Sequence, residues 1–253
     1  MLQHTAGRRI SVTTADFDML DREMRDGQIV FEAEHVDRDA HLDQVIDKPW
    51  GHEYRIYADH FFDIWKLRIR PGHSTSLHCH PRKETVLVCL NGKAEIHFLN
   101  HLIEVAAPNY ICIDRGVFHS TTNVGGDDLD LIEIETPRNK LDLVRMRDHY
   151  GRARAKYERE TSSIEVPTVE PALSILGAKM RAGDCSGRYQ FQVLSGLDLA
   201  KHRYENAVCL VALGVRQALS RDIQILLPDQ VGIYPFRDDQ QYFSILADYS
   251  SVN

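Results

Sequence analysis

The sequence predicts an all-β protein whose central strands close into a jelly-roll β-barrel, between an N-terminal helix and a β-rich C-terminal half. From about Tyr54 onward, short runs rich in Val, Ile, Phe and Tyr alternate apolar with polar residues, as half-buried strands do. Turn-forming pairs separate these runs: Pro71-Gly72, Asn91-Gly92 and Gly125-Gly126. With 253 residues and 43% hydrophobic content, the chain can bury a full core.

One amphipathic helix is expected before the strands, over residues 14–27. Thr13 or Thr14 can cap its N-terminus, and Gly27 can end it. Three apolar side chains at helical spacing give it one packing face: Phe17, Leu20 and Met24. Residues 1–46 are therefore expected to form an N-terminal helical and extended segment.

Five alternating runs supply the strands of the barrel: residues 63–69, 85–90, 93–98, 110–113 and 129–135. Their number and their short connections suffice to close a barrel. A polar composition after Arg138, followed by Pro167 and Pro171, marks a linker. The sequence thus predicts a barrel over residues 47–152 and a separate β-rich region over residues 153–253.

Strand patterns return in the C-terminal region, at residues 189–194, 207–213, 222–227, 232–234 and 242–247. Residues 207–214 (AVCLVALG) resemble residues 85–92 (TVLVCLNG). The region is either a degenerate second copy of the barrel or an unrelated set of antiparallel strands that look alike. In both interpretations it has no pair of histidines two residues apart, so it lacks metal ligands.

Charge and composition exclude several classes of function. The net charge is −7 and the charged residues, 26% of the chain, are spread along it, so a nucleic-acid partner is not expected. No run approaches the roughly 18–20 apolar residues of a membrane span, and the N-terminus has no apolar signal core. Five cysteines without CxxC spacing suit reduced thiols. We expect a cytoplasmic protein with no membrane partner.

Ligand-type side chains concentrate between Gly72 and Glu84. His78 and His80 are two residues apart, so on a strand both imidazoles project from the same face. His119 adds a third imidazole from a later strand, and Glu84 can add a carboxylate. These ligand types suit Zn, Fe, Mn, Ni or Co and do not choose among them. The sequence predicts a divalent metal ion held by His78, His80, Glu84 and His119.

The same residues resemble the two motifs of the cupin superfamily. Residues 72–84 match the first motif, which runs Gly, five residues, His-x-His, three or four residues, Glu, and residues 119–123 match the end of the second motif. Seven residues instead of six separate Glu84 from Gly92, so Thr85 falls where many cupins have the ligand Glu, unless a bulge restores Glu84. The resemblance implies a cupin barrel, and a bicupin if the C-terminal half is a second copy.

Two flanking segments resemble the cupin part of the type II mannose-6-phosphate isomerases. Residues 49–51 (Pro-Trp-Gly) stand where that family opens its barrel, and residues 141–152 resemble its closing segment. The resemblance covers residues 47–152. It implies a metal-dependent aldose–ketose isomerase acting on a sugar phosphate or nucleotide sugar, in carbohydrate or polysaccharide metabolism. It also implies that Glu133 is the catalytic base and that Arg152 contacts the phosphate or the substrate.

Other interpretations stay open. Arg70, Lys66 and Arg115 are further candidates for contact with a substrate phosphate. With Fe(II) at the four ligands, the barrel would be a dioxygenase that cleaves a small organic molecule. Without turnover, it would be a sugar-binding or regulatory cupin. In each case a homodimer is expected, because cupins commonly pair their barrels.

Overall fold

The structure is a computed structural model that describes residues 7–25, 43–139, 142–147, 162, 164–165, 167–169, 171, 178–202, 204–214, 217–218 and 223–248. Strands dominate these residues, which confirms the all-β prediction. Within them, no helix is long and apolar enough to cross a membrane.

The N-terminal and central parts of the chain form one helix and the strands of two sheets: α1 (Thr14–Arg25), β1 (Arg8–Ile10), β2 (Ile46–Lys48), β3 (Gly51–Ala58), β4 (Asp63–Ile69), β5 (Leu77–Cys79), β6 (Glu84–Asn91), β7 (Lys93–Phe98), β8 (Leu102–Ala106), β9 (Asn109–Ile113), β10 (His119–Asn123), β11 (Leu129–Thr136) and β12 (Val144–Arg147). The elements that follow are β13 (Thr168–Val169), β14 (Lys179–Arg181), β15 (Tyr189–Ser195), α2 (Gly196–Lys201), β16 (Ala207–Ala212), β17 (Ile225–Leu226), α3 (Pro228–Val231) and β18 (Gln241–Ala247). The five predicted barrel strands are all present.

Two facing sheets build the barrel. The larger sheet has the order β1-β9-β6-β11-β4-β3-β14-β13, with β2 paired to β3, and the smaller sheet has the order β12-β5-β10-β7-β8. Strand alternation decides which side chains enter the barrel. On β6, Leu87 and Cys89 join Ile96 of the smaller sheet in the core between the sheets, while Val86 and Val88 belong to a second cluster on the outside.

The N-terminal segment is tied to the barrel. Thr13 caps α1, because the Asp16 amide donates to Thr13 Oγ1 at 3.4 Å and the Thr13 amide donates to Asp16 Oδ2 at 2.8 Å. β1 pairs in parallel with β9 and adds a strand to the larger sheet. The predicted domain limits at residues 46/47 and 152/153 stay predictions, and the second of them lies outside the described residues.

Gly51 fixes the turn between β2 and β3. Its φ is +153°, and a Cβ at this position would lie 1.9 Å from the Arg68 carbonyl oxygen. Only glycine fits so close to the neighbouring strand. The close approach of Gly51 to the neighbouring strand explains why the Pro49-Trp50-Gly51 segment ends in glycine. The preceding residue, Trp50, lines the barrel cavity.

The C-terminal half contributes a third sheet, whose strand order is β15-β18-β16-β17. One face of this sheet packs on the outer face of the larger barrel sheet, since Val86 and Ile134 share a buried cluster with Phe191, Val211 and Phe243. In the part of residues 178–248 that the structure describes, these strands form one open sheet. The second barrel copy stays a prediction.

The predicted strand at residues 232–234 is wrong. Pro228 begins α3 just before it, at a position where the missing N–H of proline costs no helical hydrogen bond. Gly232 and Ile233 then form the turn that ends this helix. Short apolar runs do not distinguish a strand from a turn of helix by their pattern alone.

Candidate metal centre

Three histidines converge inside the barrel, as the spacing predicted. His119 on β10 lies directly opposite His78 on β5, and His80 follows two residues after His78. The ring centroids are 4.5 Å apart for His78 and His119, 4.9 Å for His78 and His80, and 5.7 Å for His80 and His119. One ring nitrogen of each lies within 4.8 Å of the others, so the three could hold one metal ion.

Backbone carbonyls orient all three rings in the same way. Nδ1 of His78 lies 2.7 Å from the Ser76 carbonyl oxygen, Nδ1 of His80 lies 2.6 Å from that of Asp142, and Nδ1 of His119 lies 3.0 Å from that of Val117. A carbonyl oxygen only accepts hydrogen bonds, so each Nδ1 carries the proton. The lone pair of each neutral ring is then on Nε2, which is how metal-binding histidines are held.

The environment keeps these rings uncharged. Burial lowers the pKa of His78 well below its usual range, and the neighbouring His119 and His80 lower it further. Burial also lowers the pKa of His119. Both imidazoles are therefore neutral near pH 7, the state in which they bind metals.

We expect the metal-free protein to lose stability in mild acid. The unfolded histidines take up protons below their ordinary pKa of 6.5, whereas His78 and His119, and also His52, have lowered pKa values in the folded protein. The free energy of unfolding should hold above about pH 6.5 and then fall by about 1.4 kcal/mol per pH unit for each such histidine. Urea denaturation from about pH 7.5 to about pH 5.5 measures this slope. His119→Gln should have a shallower slope, and a flat profile for the wild type would contradict the prediction.

Glu84 does not reach the histidines, contrary to the expected arrangement. β6 pairs with β9 and β11 without a bulge from Glu84 to Cys89, so nothing turns Glu84 inward. Arg9 donates from Nη1 to the Glu84 carboxylate at 2.7 Å, and Arg9 also pairs with Asp114. Among the described residues, the groups that could hold a metal ion do not include Glu84.

Thr85 takes the inward position instead. It alternates with Val86 of the outer cluster and lies opposite Glu135 in the pairing of β6 with β11. Its hydroxyl is buried and makes no hydrogen bond with the residues that the structure describes. A hydroxyl at this place is a weaker ligand for a divalent ion than the expected carboxylate.

β11 supplies the carboxylates of the interior. Glu133 and Glu135 alternate with Ile132 and Ile134, which belong to the outer cluster, so both acidic side chains project into the barrel. Oxygen atoms of Glu133 and Glu135 and a ring nitrogen of His80 lie within 4.8 Å of one another. The carboxylates next to the histidines thus come from β11, the neighbour of β6 in the larger sheet.

The two carboxylates have different surroundings. Lys83 Nζ lies 2.5 Å from Glu135 Oε1, and both side chains are fully buried, so Lys83 offsets this charge. The same oxygen lies 3.7 Å from His80 Nε2. Glu133 instead lines the cavity with all three histidines. Glu133 therefore lies in the cavity beside the histidines, and its role as the catalytic base stays a prediction.

The cavity above the histidines has a mixed polar and apolar lining. Besides the histidines, its polar lining consists of Lys48, Glu53, Thr75, Ser76, Thr121, Glu133 and Arg145. Trp50, Leu67 and Leu87 provide apolar walls. Such a combination of apolar walls and a few converging polar groups is typical of a small-molecule site.

Sequence reasoning missed Asp142 and Arg145. The Asp142 carbonyl orients His80, and the Asp142 carboxylate accepts from Arg82 Nε at 2.8 Å. Arg145 lies opposite His78 in the pairing of β12 with β5. Both belong to residues 141–152, the segment that carried the family resemblance, in which only Arg152 received a role. Arg152 itself lies outside the described residues.

Comparisons with known proteins find matches to the barrel region of the chain. Residues 35–148 match the family model described as "Mannose-6-phosphate isomerase C-terminal". A mannose-1-phosphate guanylyltransferase of Sinorhizobium fredii is 28% identical over 117 residues, which are 46% of this chain and 23% of the relative. The xanthan biosynthesis protein XanB of Xanthomonas campestris is 28% identical over 107 residues, which are 42% of this chain and 23% of the relative.

The chain spans only about a quarter of the length of the curated relatives that it matches. Among solved structures, an oxalate decarboxylase of Lactobacillus farciminis in a formate complex superposes with a TM-score of 0.38 and 18% identity, covering 41% of this chain and 33% of that chain. The two-sheet barrel and the family match agree on the fold. The barrel is a cupin jelly roll, and over residues 35–148 the chain resembles the C-terminal domain of the mannose-6-phosphate isomerases.

Proposed function

We propose that this protein is a metal-dependent cupin enzyme of the aldose–ketose isomerase type, acting on a sugar phosphate or nucleotide sugar. The observation that carries the proposal is the set of three buried histidines whose Nδ1 atoms are all held by backbone carbonyls. The matched family and the names of the relatives, a mannose-1-phosphate guanylyltransferase and a xanthan biosynthesis protein, support a sugar-derived substrate.

His78, His80 and His119 would hold the ion through Nε2. This set of nitrogen ligands, with a carboxylate nearby, suits Zn, Fe, Mn, Ni or Co. When bound, the ion would polarise a sugar carbonyl and make the neighbouring C–H bond more acidic. Three protein ligands leave coordination positions for a substrate, as catalytic sites require.

Glu133 is the proposed base. It projects from β11 into the cavity beside the histidines, and its oxygen lies within 4.8 Å of the His80 ring nitrogen. From there its carboxylate can take the proton from the carbon next to the sugar carbonyl and return it to the former carbonyl carbon. The hydroxyl proton must also move from the oxygen of that carbon to the former carbonyl oxygen, and the two transfers together interconvert an aldose and a ketose without any other reactant.

The test is to purify the protein without added metal, determine bound metals by elemental analysis, and follow the interconversion of mannose 6-phosphate and fructose 6-phosphate. We expect about one ion per chain, as in a mononuclear site, and an activity that a chelator removes and the same ion restores. Bound iron with oxygen uptake would favour a dioxygenase instead. A bound metal without either activity would favour a sugar-binding module. Failure to bind any of the five metals would contradict the proposal.

A further inference from the structure

Arg145 occupies a position that the proposed isomerase chemistry does not use. β12 pairs antiparallel with β5 in the smaller sheet, and Arg145 lies directly opposite His78. Directly opposed residues of an antiparallel pair project from the same face, with Cβ atoms roughly 4.5–5.5 Å apart. Arg145 accordingly lines the cavity together with His78 and Ser76.

A hydrogen bond fixes the direction of this side chain. Arg145 Nε donates to Ser76 Oγ at 3.1 Å, and the carbonyl of Ser76 is the group that orients the His78 ring. One short segment therefore positions both the guanidinium and an imidazole. A guanidinium presents its N–H donors in a planar fork of fixed shape.

With a divalent ion bound at the histidines, the charges of the cavity would favour an anionic ligand. Its described lining contains two cationic side chains, Lys48 and Arg145, and two carboxylates, Glu53 and Glu133. Lys48 Nζ lies 3.5 Å from Glu53 Oε1, with both side chains almost completely buried, so these two offset each other. A divalent ion at the histidines would then leave the cavity with an excess of positive charge.

The other cationic residues that the sequence suggested as phosphate contacts lie outside this cavity. Lys66 Nζ lies 2.6 Å from the Asp130 carboxylate, and Arg70 Nη2 donates to the Pro49 carbonyl at 2.5 Å. Arg115 is exposed on the loop before His119. None of the three lines the cavity.

We propose that Arg145 is the anion-binding residue of this cavity, which holds the oxyanion group of a substrate whose carbonyl end lies at the histidines. The planar fork of arginine matches the oxygens of a phosphate or a carboxylate. This inference rests on the proposed function for the placement of the carbonyl end. The anion contact itself can be measured without turnover.

The test is calorimetric titration of the metal-loaded wild type, Arg145→Gln, Arg145→Lys and Arg115→Gln with four probes: a hexose 6-phosphate, the unphosphorylated hexose, the corresponding hexuronate and inorganic phosphate. For the anionic sugar that the wild type prefers, we expect Arg145→Gln to weaken binding by about 10- to 100-fold, the usual effect of removing a charged hydrogen-bond partner. Arg145→Lys should keep part of the affinity, because it keeps the charge. Arg115→Gln should bind like the wild type.

Preference for the hexose phosphate or for the hexuronate identifies the oxyanion. Elemental analysis and thermal unfolding of each variant separate a lost anion contact from a lost ion or a lost fold. If Arg145→Gln folds, keeps its metal and binds the anionic sugars as the wild type does, the inference is wrong. It is also wrong if the wild type binds the neutral hexose as tightly as both anionic sugars. If anion binding depends on Arg145 while no isomerisation occurs, the proposed function fails and the anion contact of Arg145 stands.

Discussion

The double variant His78→Ala/His80→Ala is expected to bind metal at least about 100-fold more weakly than the wild type, because it deletes two of the three imidazoles. Even the loss of a hydrogen bond to a metal ligand commonly lowers metal affinity by about 10- to 100-fold. The remaining His119 offers one nitrogen. Elemental analysis after dialysis against a metal buffer measures the change.

The matched control is His97→Ala/His101→Ala. It also removes two histidines, but from the hairpin of β7 and β8, where neither residue lines the cavity. This control should keep the metal content of the wild type. Should the His78→Ala/His80→Ala protein keep its metal while folded, the ion would be bound elsewhere and the proposed centre would be wrong.

Glu133→Gln is expected to lower kcat for isomerisation by about 10²- to 10⁴-fold, the usual contribution of a general base. The amide keeps the size of the side chain and cannot accept the proton. Because the three histidines supply the metal ligands in this proposal, the metal content should stay close to that of the wild type. Parallel measurements of kcat and of metal affinity therefore decide between a base and a ligand.

Glu84→Gln provides the comparison. The Glu84 carboxylate contacts Arg9 on the far side of β6, so this variant should keep both metal and activity. Loss of metal in Glu133→Gln would make Glu133 the fourth ligand instead of the base. Loss of metal in Glu84→Gln would restore the ligand set that the sequence suggested.

The histidines could be predicted from the sequence because a spacing of two on a strand fixes their common face. The direction of the Glu84 carboxylate could not be predicted, because a shift of one residue moves a side chain to the opposite face of a sheet. The extra residue between Glu84 and Gly92 signalled this shift. Without the pairing partners of β6, the sequence could not decide whether a bulge would compensate, and the structure has none between Glu84 and Cys89.

Contacts between segments that are distant in the chain explain why the site residues on β12 and just before it could not be predicted. Asp142 and Arg145 reach the centre only because β12 pairs with β5, more than 60 residues earlier in the chain. Local patterns describe single strands and do not specify which strands become neighbours. Glu133 was easier to place, since it shares its face of β11 with the core residue Leu131.

The sheet of β15 to β18 changes what a second subunit could contact. In this chain the outer face of the larger barrel sheet is already buried, by Phe191, Phe243 and their neighbours. Because both surfaces belong to one polypeptide, their association is unimolecular and does not weaken on dilution, unlike an interface between subunits. The C-terminal half thus acts as a permanently attached partner for the barrel, and a homodimer would have to form through a different surface.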